Sequence, residues 1–207
     1  MTELITITSG NLTARINPLG AELWSLADAD GREYMTGADP AFWTGHAPLL
    51  FPIVGALNQG RYRLGQVAYE LPRHGFARQS MFACVEAGAA AATFRLTDSE
   101  ETRRVYPFAF ALDMAFAIEG WTLHMTATVA NRGDEAMPFS LGFHPAFAWP
   151  LPGGAAKDEH RVTLARTSRS RSAGSIRRRD WCCPIRNRRR SKDGHWRPTL
   201  RCSRPMP

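Results

Sequence analysis

Apolar and polar positions alternate with a period of two through much of the chain. The clearest case is residues 121–130, where Thr122, His124, Thr126 and Thr128 interleave with Leu123, Met125, Ala127 and Val129. That is a strand with one face on a core and the other toward water. Residues 108–119 precede it across Gly120, so the two predict a long hairpin. Shorter strand-like runs fall at residues 3–8, 12–17 and 21–26, broken by Ser9-Gly10-Asn11 and closed by Asp28-Ala29-Asp30-Gly31, where Asx and glycine turn chemistry is plain. Residues 60–64 and 66–71 predict a hairpin about Gly65, and residues 81–86 and 90–96 another. After the turn Asn131-Arg132-Gly133-Asp134, residues 137–143 return as a strand and residues 160–165 give one last strand-like run. Hardly any segment carries a 3.6-residue period of helical length. Short strands with turn signals every 8–12 residues predict an all-β sandwich or barrel.

Composition divides the chain near residue 165. Residues 161–207 hold 15 of the 26 Lys and Arg and two of the 19 acids, a net of +13, which leaves −6 for residues 1–160. The first part reads as an acidic globular domain with enough apolar residues for a core, the chain being 44% hydrophobic. The second, 166–207, reads as an arginine-rich irregular tail. A nucleic-acid-binding tail is one reading of its RSRS and RRR runs, through counterion release. It lacks the aromatic spacing and the folded motif that make such a reading specific, so nucleic acid is not the expected partner. Its Arg, Cys, Trp and Pro content is also what a GC-rich gene yields in a shifted reading frame. GC-rich codons after Ala165, read two bases out of frame, permit a mixed-charge string with apolar runs and Pro/Gly turns. The expectation is therefore a domain over 1–165 and an unrelated tail over 166–207. No run of 18 apolar residues predicts a membrane span, and MTELITITSG does not read as a signal peptide. Cys84, Cys182, Cys183 and Cys202 make no spaced pair, so a reducing cytoplasm is expected.

Two histidines stand out. His74 lies in YELPRHGFAR and His144 in LGFHPAFAWP, each at a strand end beside Gly and Phe, with Arg78 four residues past the first. Either one alone is ordinarily a satisfied core or turn histidine. Together, on loops of a β scaffold, they are candidates for proton transfer near neutral pH. No HExxH, Cys/His cluster or acidic ladder is present, so no metal is expected. There is no GxSxG and no phosphate loop, and no cofactor is implied. Phe76, Phe143, Phe147 and Trp149 are candidates to line a binding face or to fill a core. Trp43, in the aromatic loop PAFW, is a candidate pocket wall, and Phe51 and Tyr62 are candidate core residues.

The segments LFPIVGALNQGRY (50–62), YELPRHGFAR (69–78) and LGFHPAFAWP (141–150), in that order, resemble the aldose 1-epimerase (galactose mutarotase-like) family, and within it the branch of LacX-type and hexose-phosphate epimerases. The resemblance covers about residues 1–165, the first part of that family's longer β-supersandwich. It implies an isomerase of carbohydrate metabolism that interconverts the α and β anomers of an aldohexose, free or 6-phosphorylated, by acid–base ring opening. By the family pattern His144 is the acid at the ring oxygen, and His74 binds and polarises the same region. Arg78 holds the sugar or its phosphate. Phe76 and Phe147 are substrate-facing candidates, and Asn58, Gly60 and Arg61 match a turn of the motif. The implied partner is a small sugar or sugar phosphate; the resemblance does not fix an oligomeric state. Two departures stand out. Ala56 occupies a position where many relatives carry an arginine, for which Arg61 or Arg63 is the candidate substitute. The family's late catalytic glutamate has no counterpart in 166–207: Asp180, Asp193 and His195 lack the right surroundings. A chain missing its base and the family's last strands is expected to be poorly stable and weakly active or inactive, the alternative being a non-catalytic carbohydrate-binding remnant.

Overall fold

The computed structural model describes residues 3–160, Val162, 195–196 and 199–203. Strands β1 (Ile5–Thr8), β2 (Leu12–Asn17) and β3 (Glu22–Asp28) form one antiparallel sheet. A two-residue strand, β4 (Leu49–Leu50), follows, and then the hairpin β5 (Arg61–Leu64) and β6 (Val67–Glu70). The main sheet is built by β7 (Ala83–Ala87), β8 (Ala91–Thr97), β9 (Phe110–Glu119) and β10 (Thr122–Asn131), adjacent in that order and all antiparallel. A short helix, α1 (Glu100–Val105), joins β8 to β9, and β11 (Gly142–Phe143) returns to pair with β4. In the basic tail, β12 (His195–Trp196) and β13 (Thr199–Ser203) run antiparallel along the other edge of β10. That edge otherwise presents a row of unpaired backbone donors and acceptors. The rest of 166–207 lies outside the described residues.

The architecture is all-β, as the alternation predicts. β9 and β10 pair without a slip from Glu119↔Thr122 to Phe110↔Asn131. The turn between them needs a left-handed residue, which Gly120 supplies at φ 57°. Leu123, Met125, Ala127 and Val129 are buried and their neighbours half-buried. Ile7, Ile16 and Leu23 of the first sheet share one core with Phe94, Phe110, Leu112 and Phe116 of the second.

Three local expectations need correction or addition. Only Gly142–Phe143 of the strand expected over 137–143 joins a ladder. Pro138 has no N–H to give a neighbour; its carbonyl instead accepts from the Tyr106 hydroxyl at 3.0 Å, while Met137 and Phe139 still pack on the core. α1 escaped the periodicity because six residues are too few to show one. Its start is written in a reciprocal cap, with Thr102 N–H donating to Ser99 Oγ and Ser99 N–H donating to Thr102 Oγ1. The run expected at 160–165 is not a strand at His160 or Val162, and its other positions lie outside the described residues.

The segment 49–55 ties the sheets to the loops that matter. Leu50 and Leu49 pair with Gly142 and Phe143, and Ser140 N–H donates to Pro52 O at 2.8 Å. On the other side, the Phe51 carbonyl accepts from Phe76 N–H and Ala77 N–H at 3.1 and 3.2 Å. So close an approach leaves no room for a side chain at residue 75. A Cβ on Gly75, whose φ is 72°, would lie 2.2 Å from Phe51 O and 2.7 Å from Pro52 Cδ. Gly75→Ala is therefore expected to cost about 3 kcal/mol or more through overlap and backbone strain together. Urea denaturation of the two proteins checks this, and a loss below about 1 kcal/mol, the range of ordinary surface substitutions and small losses, contradicts it.

Candidate functional site

His74 follows β6 in a left-handed conformation, φ 70°, unusual for a residue with a Cβ. Two hydrogen bonds to one residue hold it there. Its N–H donates to Gly55 O at 2.8 Å, and its Nδ1 accepts from Gly55 N–H at 3.0 Å. Because a backbone amide only donates, Nδ1 carries no proton, and in the neutral ring the proton sits on Nε2. His74 is buried and is built to present Nε2–H as a donor.

His144 comes one residue after β11 and is half-buried. Its ring centroid lies 6.2 Å from that of His74, with the planes at 55°. The indole of Trp43 lies beside it, with ring centroids 5.0 Å apart and planes at 36°. Both histidines are held below their ordinary pKa. For His74 the causes are burial first, then the charges of Arg73 and Arg78, then His144; for His144 they are burial, then the same two arginines. Burial and like charge both disfavour the imidazolium. Among the described residues, no carboxylate contributes to either shift.

Arg78 sits in the short turn Ala77–Gln79, whose backbone rests on Gly20: a Cβ there would come within 2.9 Å of Arg78 O. Its guanidinium makes one hydrogen bond, to Arg73 O at 3.2 Å, and its buried Nε has no partner among the described residues. A buried donor left unmade costs about 1–3 kcal/mol, so the loop holds a cationic donor in readiness beside two imidazoles.

The other expected site residues separate by what they touch. Arg61 is exposed on β5 and is engaged with Glu70 by Nε and a terminal nitrogen, at 2.8 and 2.7 Å. Phe76 packs its ring on Phe51, Tyr106 and Phe110 at 6.0–6.3 Å, so it carries the loop on the core. Phe147 bridges to Met35 and is packed against the core, as is Phe143. Trp149 lies on His160. Phe51 is fully buried, and Tyr62 is half-buried with its hydroxyl donating to Val105 O.

Three neighbours were not singled out from the sequence. Arg73 sets the charge of the site yet looks like any exposed loop cation. His46 is buried, stacked on Trp24 at 3.9 Å, with Nδ1 lacking a hydrogen-bond partner among the described residues. Its carbonyl accepts from Ala146 N–H, two residues past His144. Gly45 carries the Trp43 ring. No motif or period marks His46 or Gly45, and Arg73 lies within YELPRHGFAR without standing out from it. Chemically, the cluster can donate hydrogen bonds to sugar oxygens through His74 Nε2 and Arg78, and can exchange a proton through His144. Among the described residues, no group of three or more His, Cys, Asp or Glu is placed to hold a metal ion, and no helix is long and apolar enough to cross a membrane.

Comparison with known proteins adds the lineage. A sequence model of the aldose 1-epimerase family, described as "Aldose 1-epimerase", matches residues 3–172. The plasmid-borne Protein LacX of Lactococcus lactis subsp. lactis is 33% identical over 160 residues, which is 74% of this chain and 54% of that protein. The galactose mutarotase related enzyme of Lactobacillus acidophilus superposes with a TM-score of 0.72 at 38% identity, over 75% of this chain and 52% of that one. A galactose mutarotase-like protein of Lactobacillus casei gives a TM-score of 0.69 at 40% identity, over 71% and 50% of the two chains. The chain spans about half the length of the curated relatives it matches. Its fold is that of the galactose mutarotase-like proteins, and the chain belongs to the aldose 1-epimerase family.

Proposed function

We propose that the protein binds an aldohexose, as a member of the LacX-type branch, and promotes interconversion of its α and β anomers. The observation that carries this reading is the pair of imidazoles 6.2 Å apart on loops that share one backbone support. In the proposed reaction His144 gives a proton to the ring oxygen as the bond between that oxygen and C1 breaks. The anomeric hydroxyl loses its proton to a base, the open-chain aldehyde turns about C1–C2, and reclosure returns the proton to His144. His74, fixed as an Nε2–H donor, polarises the same oxygen region. Arg78 offers its guanidinium to hydroxyl oxygens or to a 6-phosphate, which a guanidinium fork suits equally. Arg61 and Phe147 remain the proposed outer contacts, and Phe76 supports the loop of His74 from the core side. The base is the part this cluster leaves open: the charges accompanying the histidines are cationic. The domain expected over 1–165 thus carries the acid and binding half of the chemistry. A second reading, sugar binding without turnover, is favoured by that same lack of an adjacent carboxylate among the described residues.

Polarimetry of the full chain with α-glucose and α-galactose separates the two. The expected result is modest acceleration over buffer that falls about 10²-fold or more in His144→Gln, and that acetate raises in the unmodified chain but not in the variant. Sugar binding by calorimetry without acceleration selects the second reading. Neither binding nor acceleration contradicts both, and glucose 6-phosphate run in parallel decides whether the bound class is phosphorylated.

Burial also makes the site a source of acid sensitivity. His74 is held neutral in the fold below its ordinary value of 6.5. Below that value the unfolded chain takes up a proton that the folded chain refuses, so the fold loses stability as pH falls from 6.5 through the lowered folded pKa. Above 6.5 the term vanishes. Urea midpoints at stepped pH are expected to fall across that window in the unmodified protein and to fall less in His74→Gln. Equal slopes contradict the assignment.

A further inference from the structure

Trp43 is one of several exposed aromatic residues, but its surroundings are unlike those of the others. Phe42 beside it is 89% exposed. The Trp43 ring, by contrast, is held on two sides. On one, a Cβ built on Gly45 would fall 2.6 Å from Cζ2, 2.9 Å from Cε2 and 3.0 Å from Cη2, so the benzo ring rests on the bare Cα of a glycine. Gly45 needs no special backbone angle; it is needed for its missing side chain. On the other side lies the His144 imidazole. The backbone under the ring is fixed as well. Asp39 O accepts from the N–H groups of Phe42 and Trp43 at 2.9 and 3.0 Å, and Asp39 Oδ1 accepts from Ala41 N–H at 2.8 Å. Three residues past Trp43, the hydrogen bond from Ala146 N–H to His46 O ties this loop to the one that carries His144.

We propose that Trp43 is the positioning residue of His144: its indole, seated on Gly45, fixes the tilt of the imidazole and keeps water from that face. The role rests on the epimerase reading for its kinetic consequence, but not for its structural one. His144 receives no ring hydrogen bond among the described residues, whereas His74 has Gly55 to orient it. A proton donor without an orienting hydrogen bond needs another means of holding its ring, and a flat aromatic surface supplies one without altering which nitrogen carries the proton. The same surface removes solvent from the imidazolium. The charged groups that bear on His144 are Arg73 and Arg78, both of which disfavour its protonation, and the His74 ring lies 6.2 Å away, centroid to centroid.

The test is NMR titration of the His144 ring in the full chain, its resonance identified by comparison with His144→Gln. In Trp43→Ala and in Gly45→Ala, which pushes the indole off its seat, His144 is expected to titrate at higher pH than in the unmodified chain. His74 should move less, and Trp43→Phe should restore most of the original midpoint. Anomer interconversion in Trp43→Ala is expected to lose about tenfold or more in kcat with KM within about twofold, as misorientation of a catalytic group does. An unmoved His144 midpoint in folded Trp43→Ala or Gly45→Ala overturns the proposal, as does a Trp43→Phe chain indistinguishable from Trp43→Ala. If Trp43→Ala does not fold, Gly45→Ala and Trp43→Phe decide the matter by the same midpoints. The titration needs no turnover, so it stands apart from the fate of the epimerase reading.

Discussion

Segment 49–55 is the backbone on which the site depends. It is used twice, once from each side. Leu49 and Leu50 pair with β11 and so set where His144 emerges. The carbonyl of Phe51 and both backbone groups of Gly55 bind the loop that carries His74. The two histidines are 70 residues apart in the chain, yet each is only a few hydrogen bonds from the same short run of backbone. The run is itself anchored by the ring of Phe51, which is fully buried among Phe76, Tyr106, Phe110 and Phe139. The bare Cα of Gly75 lets the two backbones approach closely enough for this arrangement.

From that support follows a division of labour between two residues of one type. His74 accepts at Nδ1 and is thereby committed to its Nε2–H form; it can orient and polarise, but taking a second proton breaks its bond to Gly55. His144 has an aromatic face beside it and no such commitment among the described residues. Burial and two arginines weaken both as bases, which makes a protonated His144 a better donor than a histidine in water. The arginines also give the cluster a positive field suited to sugar oxygens or a phosphate.

What the sequence disclosed, and what it hid, follow from length. The hairpin of β9 and β10 is ten residues a side with a glycine at its turn, long enough for the period of two to be unmistakable. β4 and β11 are two residues each, too short for any period, though they bring the site together. The run at 137–143 has strand-like residues, but its proline cannot join a ladder, so packing and hydrogen bonding part company there. His74, His144 and Arg78 were legible because motif likeness points at them, and Trp43 because an aromatic loop invites a wall. Arg73, Gly45 and His46 were not, since a loop arginine, a glycine of ordinary conformation and a lone histidine acquire meaning only from what lies across from them. Phe76 was visible as an aromatic near the site, but only its ring partners show that it faces the core.

The central claim is that His74 and His144, with their rings 6.2 Å apart, act on one ligand. It is tested most directly by following the imidazole signals of both residues in the full chain during titration with an aldohexose. The account predicts that both respond along a single binding curve with one Kd. A response from one ring alone, or two curves with different affinities, would contradict it.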